Sequence, residues 1–118
     1  MFAHPQSFDE CSEYDLLTTV FLIPTEFGGR KGAGYSGYRG QFYWHINGVP
    51  WQDWDAHYWF KDEGIEPGNA TKCKIQLSDH LKSYSKGNFP RGKQFGIREG
   101  ATIVGVGIIE ECRLPLVE

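Results

Sequence analysis

The chain holds several residue sets with the makings of chemistry, and each lacks the context its chemistry needs. Gly32-Ala33-Gly34-Tyr35-Ser36-Gly37 has the G-x-G-x-x-G spacing that lets a backbone approach a pyrophosphate. That fingerprint works only between a strand and the helix it opens. Here Arg30-Lys31 precede it and Gln41-Phe42-Tyr43-Trp44 follow, with no helix to receive a phosphate. Gly87 to Gln94 reads G-x-x-x-x-G-K-Q. A phosphate loop needs Ser or Thr after the lysine, because that hydroxyl reaches magnesium. Gln94 stands there instead, and Pro90 interrupts the loop, so no nucleotide is expected. His4, His45, His57 and His80 form no H-E-x-x-H pair, and His45 and His57 read as structural histidines of aromatic strands. Ser36 lacks the G-x-S-x-G elbow of a hydrolase nucleophile. Asp53, Asp55, Asp62, Glu63 and Glu66 are too loosely spaced for a calcium loop and read as solvated surface. Cys11, Cys73 and Cys112 are odd in number and contain no C-x-x-C, which argues against both a disulfide framework and structural zinc. Cys73 lies among lysines that would lower its pKa, but its strand places it on the apolar side, where a thiol is inert. The expectation is a non-catalytic chain without metal or cofactor, with reduced thiols and hence a cytoplasmic setting.

These residues sit on a pattern of short strands. The chain has 118 residues, one domain's worth, with a net charge of −3. That balance excludes a strongly basic nucleic-acid binder, and no apolar run reaches the ~18 residues of a membrane span. Residues 1–15 are polar, acidic and aperiodic, and read as a tail or an edge segment; residues 16–118 form the domain. Leu16 to Ile23 is a continuous apolar run that fits a buried strand. Phe27 to Gly40 contains six glycines and no helix survives there, leaving a long loop or irregular hairpin. Gln41 to Ile46 and Ala56 to Lys61 are aromatic strand candidates, with Asn47-Gly48 as a hairpin signal. Thr71 to Leu77 alternates, with Cys73, Ile75 and Leu77 on one side and Lys72, Lys74 and Gln76 on the other. Ser78 to Gly92 reads as a long connection without a helix. Gln94 to Arg98 and Thr102 to Glu110 complete the set, with Gly105 and Gly107 placed for a bulge or a close backbone approach. Six or so strands with turns predict an all-β fold, a single antiparallel barrel with Greek-key connections. Its expected core includes Val20, Leu22, Ile75, Leu77, Ile97, Val104 and Ile108.

Charge is segregated along the chain. Residues 27–52 and 80–98 together hold eight of the 12 basic residues and none of the 15 acids. If these stretches meet, they form a positive patch on an acidic protein. Solvated polar loops are the alternative. Trp51, Trp54 and Trp59 are a second concentration, either a protein interface or the filling of a barrel end.

Two stretches carry a resemblance. Phe27-Gly28-Gly29-Arg30 is followed by Ser36-Gly37-Tyr38-Arg39-Gly40-Gln41-Phe42-Tyr43-Trp44. Later, Phe95-Gly96-Ile97-Arg98-Glu99-Gly100 is followed by Val104-Gly105-Val106-Gly107. In order and content they resemble the C-terminal β-barrel domain (domain 3) of bacterial elongation factor Tu, with Pro67-Gly68-Asn69 at the position of that family's P-G-D turn. The likeness spans about residues 17–110. Gly40 replaces a family proline, Ala101-Thr102 replace a Gly-Arg pair, and Ile46 to Glu66 is unlike the family. The resemblance implies a free-standing binding module that engages tRNA or a translation-related protein. By position, Arg30, Gln41, Glu99 and Gly100 would face the tRNA stem, with Arg39 and Arg98 sharing their surface. Arg30 suits a phosphate bidentately, whereas Glu99 would accept from a 2′-hydroxyl or orient Arg30 or Arg98. The alternative is that these are turn and ion-pair residues of the barrel. A second possible role is that of an immunity or regulatory protein, one that mimics the factor's surface and binds a protein such as a toxin.

Overall fold

In the computed structural model, which describes residues 6–45, 51–62 and 64–115, the apolar run Leu16–Leu22 forms strand β1 in the interior of a curled antiparallel sheet. Its neighbours are β7 (Ala70–Leu77) and β9 (Thr102–Cys112). Seven strands follow the order β4-β3-β8-β9-β1-β7-β5, and a two-stranded piece pairs β2 (Gly34–Tyr35) with β6 (Gly64–Ile65). The remaining strands are β3 (Gln41–Trp44), β4 (Gln52–Trp54), β5 (Ala56–Phe60) and β8 (Gln94–Glu99). The fold is all-β and barrel-like. Its two edge strands, β4 and β5, are successive pieces of one segment bent at Asp55, so the chain itself links the open sides. Where Asn47-Gly48 predicts a hairpin, the residues lie outside those described.

The strands bury one face. Leu16, Val20 and Leu22 of β1, Cys73, Ile75 and Leu77 of β7, and Ala56, Tyr58 and Phe60 of β5 all point inward. Phe42 stacks on Phe95 with ring centroids 4.6 Å apart, and Trp44 and Phe89 continue the aromatic layer. Gly107 is required by this packing, because a Cβ there would lie 2.2 Å from Phe95 Cζ.

Two sequence expectations are corrected. Ile108 is 45% exposed rather than in the core. The pairing steps from Ile97 with Gly105 to Arg98 with Ile103, leaving Val104 as the extra residue of a bulge. Beyond it the inward set becomes Gly105, Gly107 and Ile109, and Val106 and Ile108 turn outward. The other predicted core residues are buried. The connection Ser78 to Gly92 contains a helix, α1 (Asp79–Ser85). Ser78 caps it by accepting from Leu81 N–H, Leu81 inserts into the core, and Tyr84 packs on Trp54 at 5.2 Å. None of the described helices is long and apolar enough to cross a membrane.

Residues 6–15 are a strap over the outer face of β7. Lys74 Nζ donates to the carbonyls of Phe8 (2.7 Å) and Cys11 (2.9 Å). Gln76 Nε2 donates to Glu13 O, and Arg113 Nη1 to Ser12 O.

Candidate functional site

The turn at Thr25–Phe27 carries the chain past Gly28 and Gly29 and delivers Arg30 to the end of β8. Thr25 Oγ1 holds the Arg30 carbonyl. Each guanidinium nitrogen then has one partner. Nε donates to Gly32 O (3.2 Å), Nη2 to Ala33 O (3.3 Å), and Nη1 forms an ion pair with Glu99. The same Glu99 oxygen accepts from the Tyr38 hydroxyl, and the Arg30 fork lies 4.9 Å from the Tyr38 ring centre. Tyr38 is fixed in turn by its main chain, since Tyr58 N–H donates to Tyr38 O and Gly37 N–H to Tyr58 O. Its ring lies over Gly40, where a Cβ would come within 2.5 Å of it. A bare backbone is therefore needed where the resembled family carries proline. Burial, then the hydrogen bond to Glu99, hold the Tyr38 hydroxyl well above its usual pKa, so it stays a donor. For Arg30 burial opposes the charge, but the hydrogen bonds to Glu99 and Tyr38 outweigh it and raise the pKa.

The neighbouring strands repeat this neutralisation. Gln41 of β3 stands opposite Arg98 of β8. Arg98 pairs with Asp53 of β4 at 3.2 Å and lies 4.7 Å from the Tyr43 ring centre. Gln41 Nε2 donates to Asp55 Oδ1 at 3.2 Å. Gly100 occupies the β8–β9 turn with φ +60°. Arg39 is exposed and lines a hollow with Asp55, His57 and Gln76. The structure thus brings Arg30 to Glu99, and Gln41 to Arg98, across more than 50 residues of sequence. It also sets an acid beside both arginines. The acidic stretch expected to be solvated supplies Asp53 to Arg98 and Asp55 to Gln41, because the β3–β4 pairing folds both acids back towards β3 and β8. At Arg30, Lys82 and Arg98, charge segregated in sequence is paired in space.

The tryptophans divide. Trp59 is 1% exposed on the outward side of β5, opposite Lys74. Trp54 packs against the core. Trp51 is 42% exposed, stacks on Tyr43 at 4.9 Å and lies tilted against His45 at 4.1 Å.

What sequence reasoning missed is an apolar row on the outer face. Phe21 of β1, Val106 of β9, Gly96 of β8 and Tyr43 of β3 are successive cross-strand neighbours. Phe21, Val106 and Ile108 are 37%, 44% and 45% exposed, and Ile103 is similarly open. The available signal was Leu16 to Ile23 itself. A strand apolar on both faces must find a second cover or show one face to water. The ion pairs Lys72–Glu110 and Arg98–Asp53 flank the row, leaving it close to neutral.

No group of three or more His, Cys, Asp and Glu able to hold a metal occurs among the described residues. The Cys73 thiol is fully buried, and desolvation pushes its pKa far up, which removes it as a nucleophile at neutral pH. No family model matches the chain.

Proposed function

We propose that this protein is a non-catalytic binding module that docks a partner protein on the outer face of its sheet. The observation that carries this reading is the exposed row of Phe21, Val106 and Ile108, flanked by ion pairs and extended by Tyr43 and Trp51. Apolar side chains grouped on an otherwise charged surface mark interaction sites, with aromatics as anchors. The resemblance to an elongation-factor barrel supports a partner from the translation apparatus, or a toxin aimed at it. Three cysteines without a disulfide support a cytoplasmic setting. The tRNA reading draws less support from Arg30 and Arg98 than from cations such as Lys31 and Arg39. A phosphate approaching Arg30 or Arg98 meets Glu99 or Asp53 first, and binding through the backbone needs uncompensated cations.

Affinity capture from the protein's own cell lysate, with and without ribonuclease, tests the assignment. Capture of a defined protein should survive ribonuclease and fall at least tenfold in Val106→Glu, while Arg30→Ala retains it. Loss on ribonuclease treatment, or capture indifferent to Val106→Glu, overturns it; the first result would restore the RNA reading through Lys31 and Arg39.

A further inference from the structure

Trp59 points outward from β5, yet it is as buried as the interior aromatics. An outward tryptophan is buried only if something covers it, and the described element laid over the adjoining outer side of β7, at Lys74 opposite Trp59, is the strap of residues 6–15. The strap forms no ladder along β5 or β7 until Asp15, whose N–H donates to Ile75 O. Before that, side chains of the sheet grip its main chain. Lys74 takes the carbonyls of Phe8 and Cys11, Gln76 that of Glu13, and Arg113 that of Ser12. The Lys74 ammonium lies 4.2 Å from the Phe8 ring centre and 5.0 Å from that of Tyr14, and Arg113 covers Tyr14 at 4.4 Å. Cys11, midway between Phe8 and Tyr14 in sequence, is fully buried. The strap's side chains supply two aromatics and one small apolar residue at intervals of three. Its charges are Asp9, Glu10, Glu13 and Asp15 with no base, and the surface beneath presents Lys74 and Arg113.

We infer that this face is a peptide-docking channel, and that residues 6–15 occupy it in cis as a displaceable strap. The ligand it would take in trans is an acidic linear segment of a partner protein, with the pattern aromatic-x-x-small-x-x-aromatic. Donors aimed at carbonyls read any extended main chain. The Lys74 cage and the Cys11 site select the side chains, and the opposite charges steer approach. A segment held by side-chain contacts rather than a ladder opens at lower free energy than the sheet, which makes exchange possible without unfolding. The strap's tether gives it a high effective concentration, so a competitor binds the intact chain weakly until the strap is loosened. The channel lies on β5 and β7 and does not depend on the apolar row.

The full-length chain carries its own reporters. Under native conditions N-ethylmaleimide should modify Cys11 at least 100-fold faster than Cys73, read residue by residue by mass spectrometry, because strap opening frees only Cys11. Equal rates with equal denaturant dependence would mean that the strap leaves only on global unfolding, and would overturn the inference. A fluorescein-labelled peptide copying residues 6–15, with serine for the cysteine, should bind the Phe8→Ser/Tyr14→Ser chain at least tenfold more tightly than the unaltered chain. Adding Lys74→Met should abolish binding. If the doubly substituted chain keeps its circular dichroism yet binds no better, or binds a scrambled peptide equally, the channel does not exist.

Discussion

Tyr58 is wholly buried, and its hydroxyl has no protein partner among the described residues. Its ring contacts with Tyr38 and Phe60 do not need that oxygen. Tyr58→Phe should therefore leave stability unchanged or raise it by about 1 kcal/mol in urea unfolding. Arg30→Ala should lower stability by about 1–2 kcal/mol, since it removes three donors and leaves Glu99 with Tyr38 alone. Arg30→Lys should not restore it, because an ammonium cannot reproduce the planar fork. Glu110 adds a pH signature. Hydrogen bonds from Lys72 and then Thr19 hold its carboxyl below the usual range. The pair's contribution is complete above the unfolded carboxyl's pKa and is lost as pH falls through the lowered folded value. Lys72→Met should thus be less stable than the parent by a few tenths of a kcal/mol at neutral pH, with the gap closing in acid. At this scale the sequence reveals residue types better than pairings. Glu99 is legible as an orienter of Arg30, whereas Tyr38 is not, because its role arises only when its main chain bridges to Tyr58.

Among the elements, β9 is the one whose sequence misleads. Its alternation is clear, but Val104 shifts its phase by one residue, and an inserted residue leaves no mark in composition. The glycines are the readable part: Gly107 is where the Phe95 ring presses against the backbone. Gly107→Ala should cost about 3 kcal/mol or more, since Phe95 is locked by its stack on Phe42 and cannot yield. Helix α1 is hidden for a different reason. Seven residues are too few to show periodicity, and only Ser78-Asp79 announce a start. Ser78→Ala should destabilise by about 1 kcal/mol by uncapping Leu81 N–H, and chemical unfolding would show it.

For the molecule as a whole, the barrel class follows from the spacing of short strands, and the burial of alternate residues bears it out. The partnering of charges does not follow, because it depends on which strands become neighbours. Asp53 meets Arg98 only once β4 lies beside β3 and β3 beside β8. The same ordering makes the topology non-local, with β1 flanked by strands that end at Leu77 and Cys112. Refolding from urea should accordingly take milliseconds to seconds rather than microseconds. During synthesis on a ribosome, the consequence is sharper. Strand β1 is made before either of its neighbours, so an interior strand of the sheet leaves the exit tunnel with both hydrogen-bonding edges bare. Its second edge stays bare until β9 is made. A nascent chain stalled before β9 is a sticky half-sheet rather than a small folded domain, and it is that species that chaperones and proteases would meet.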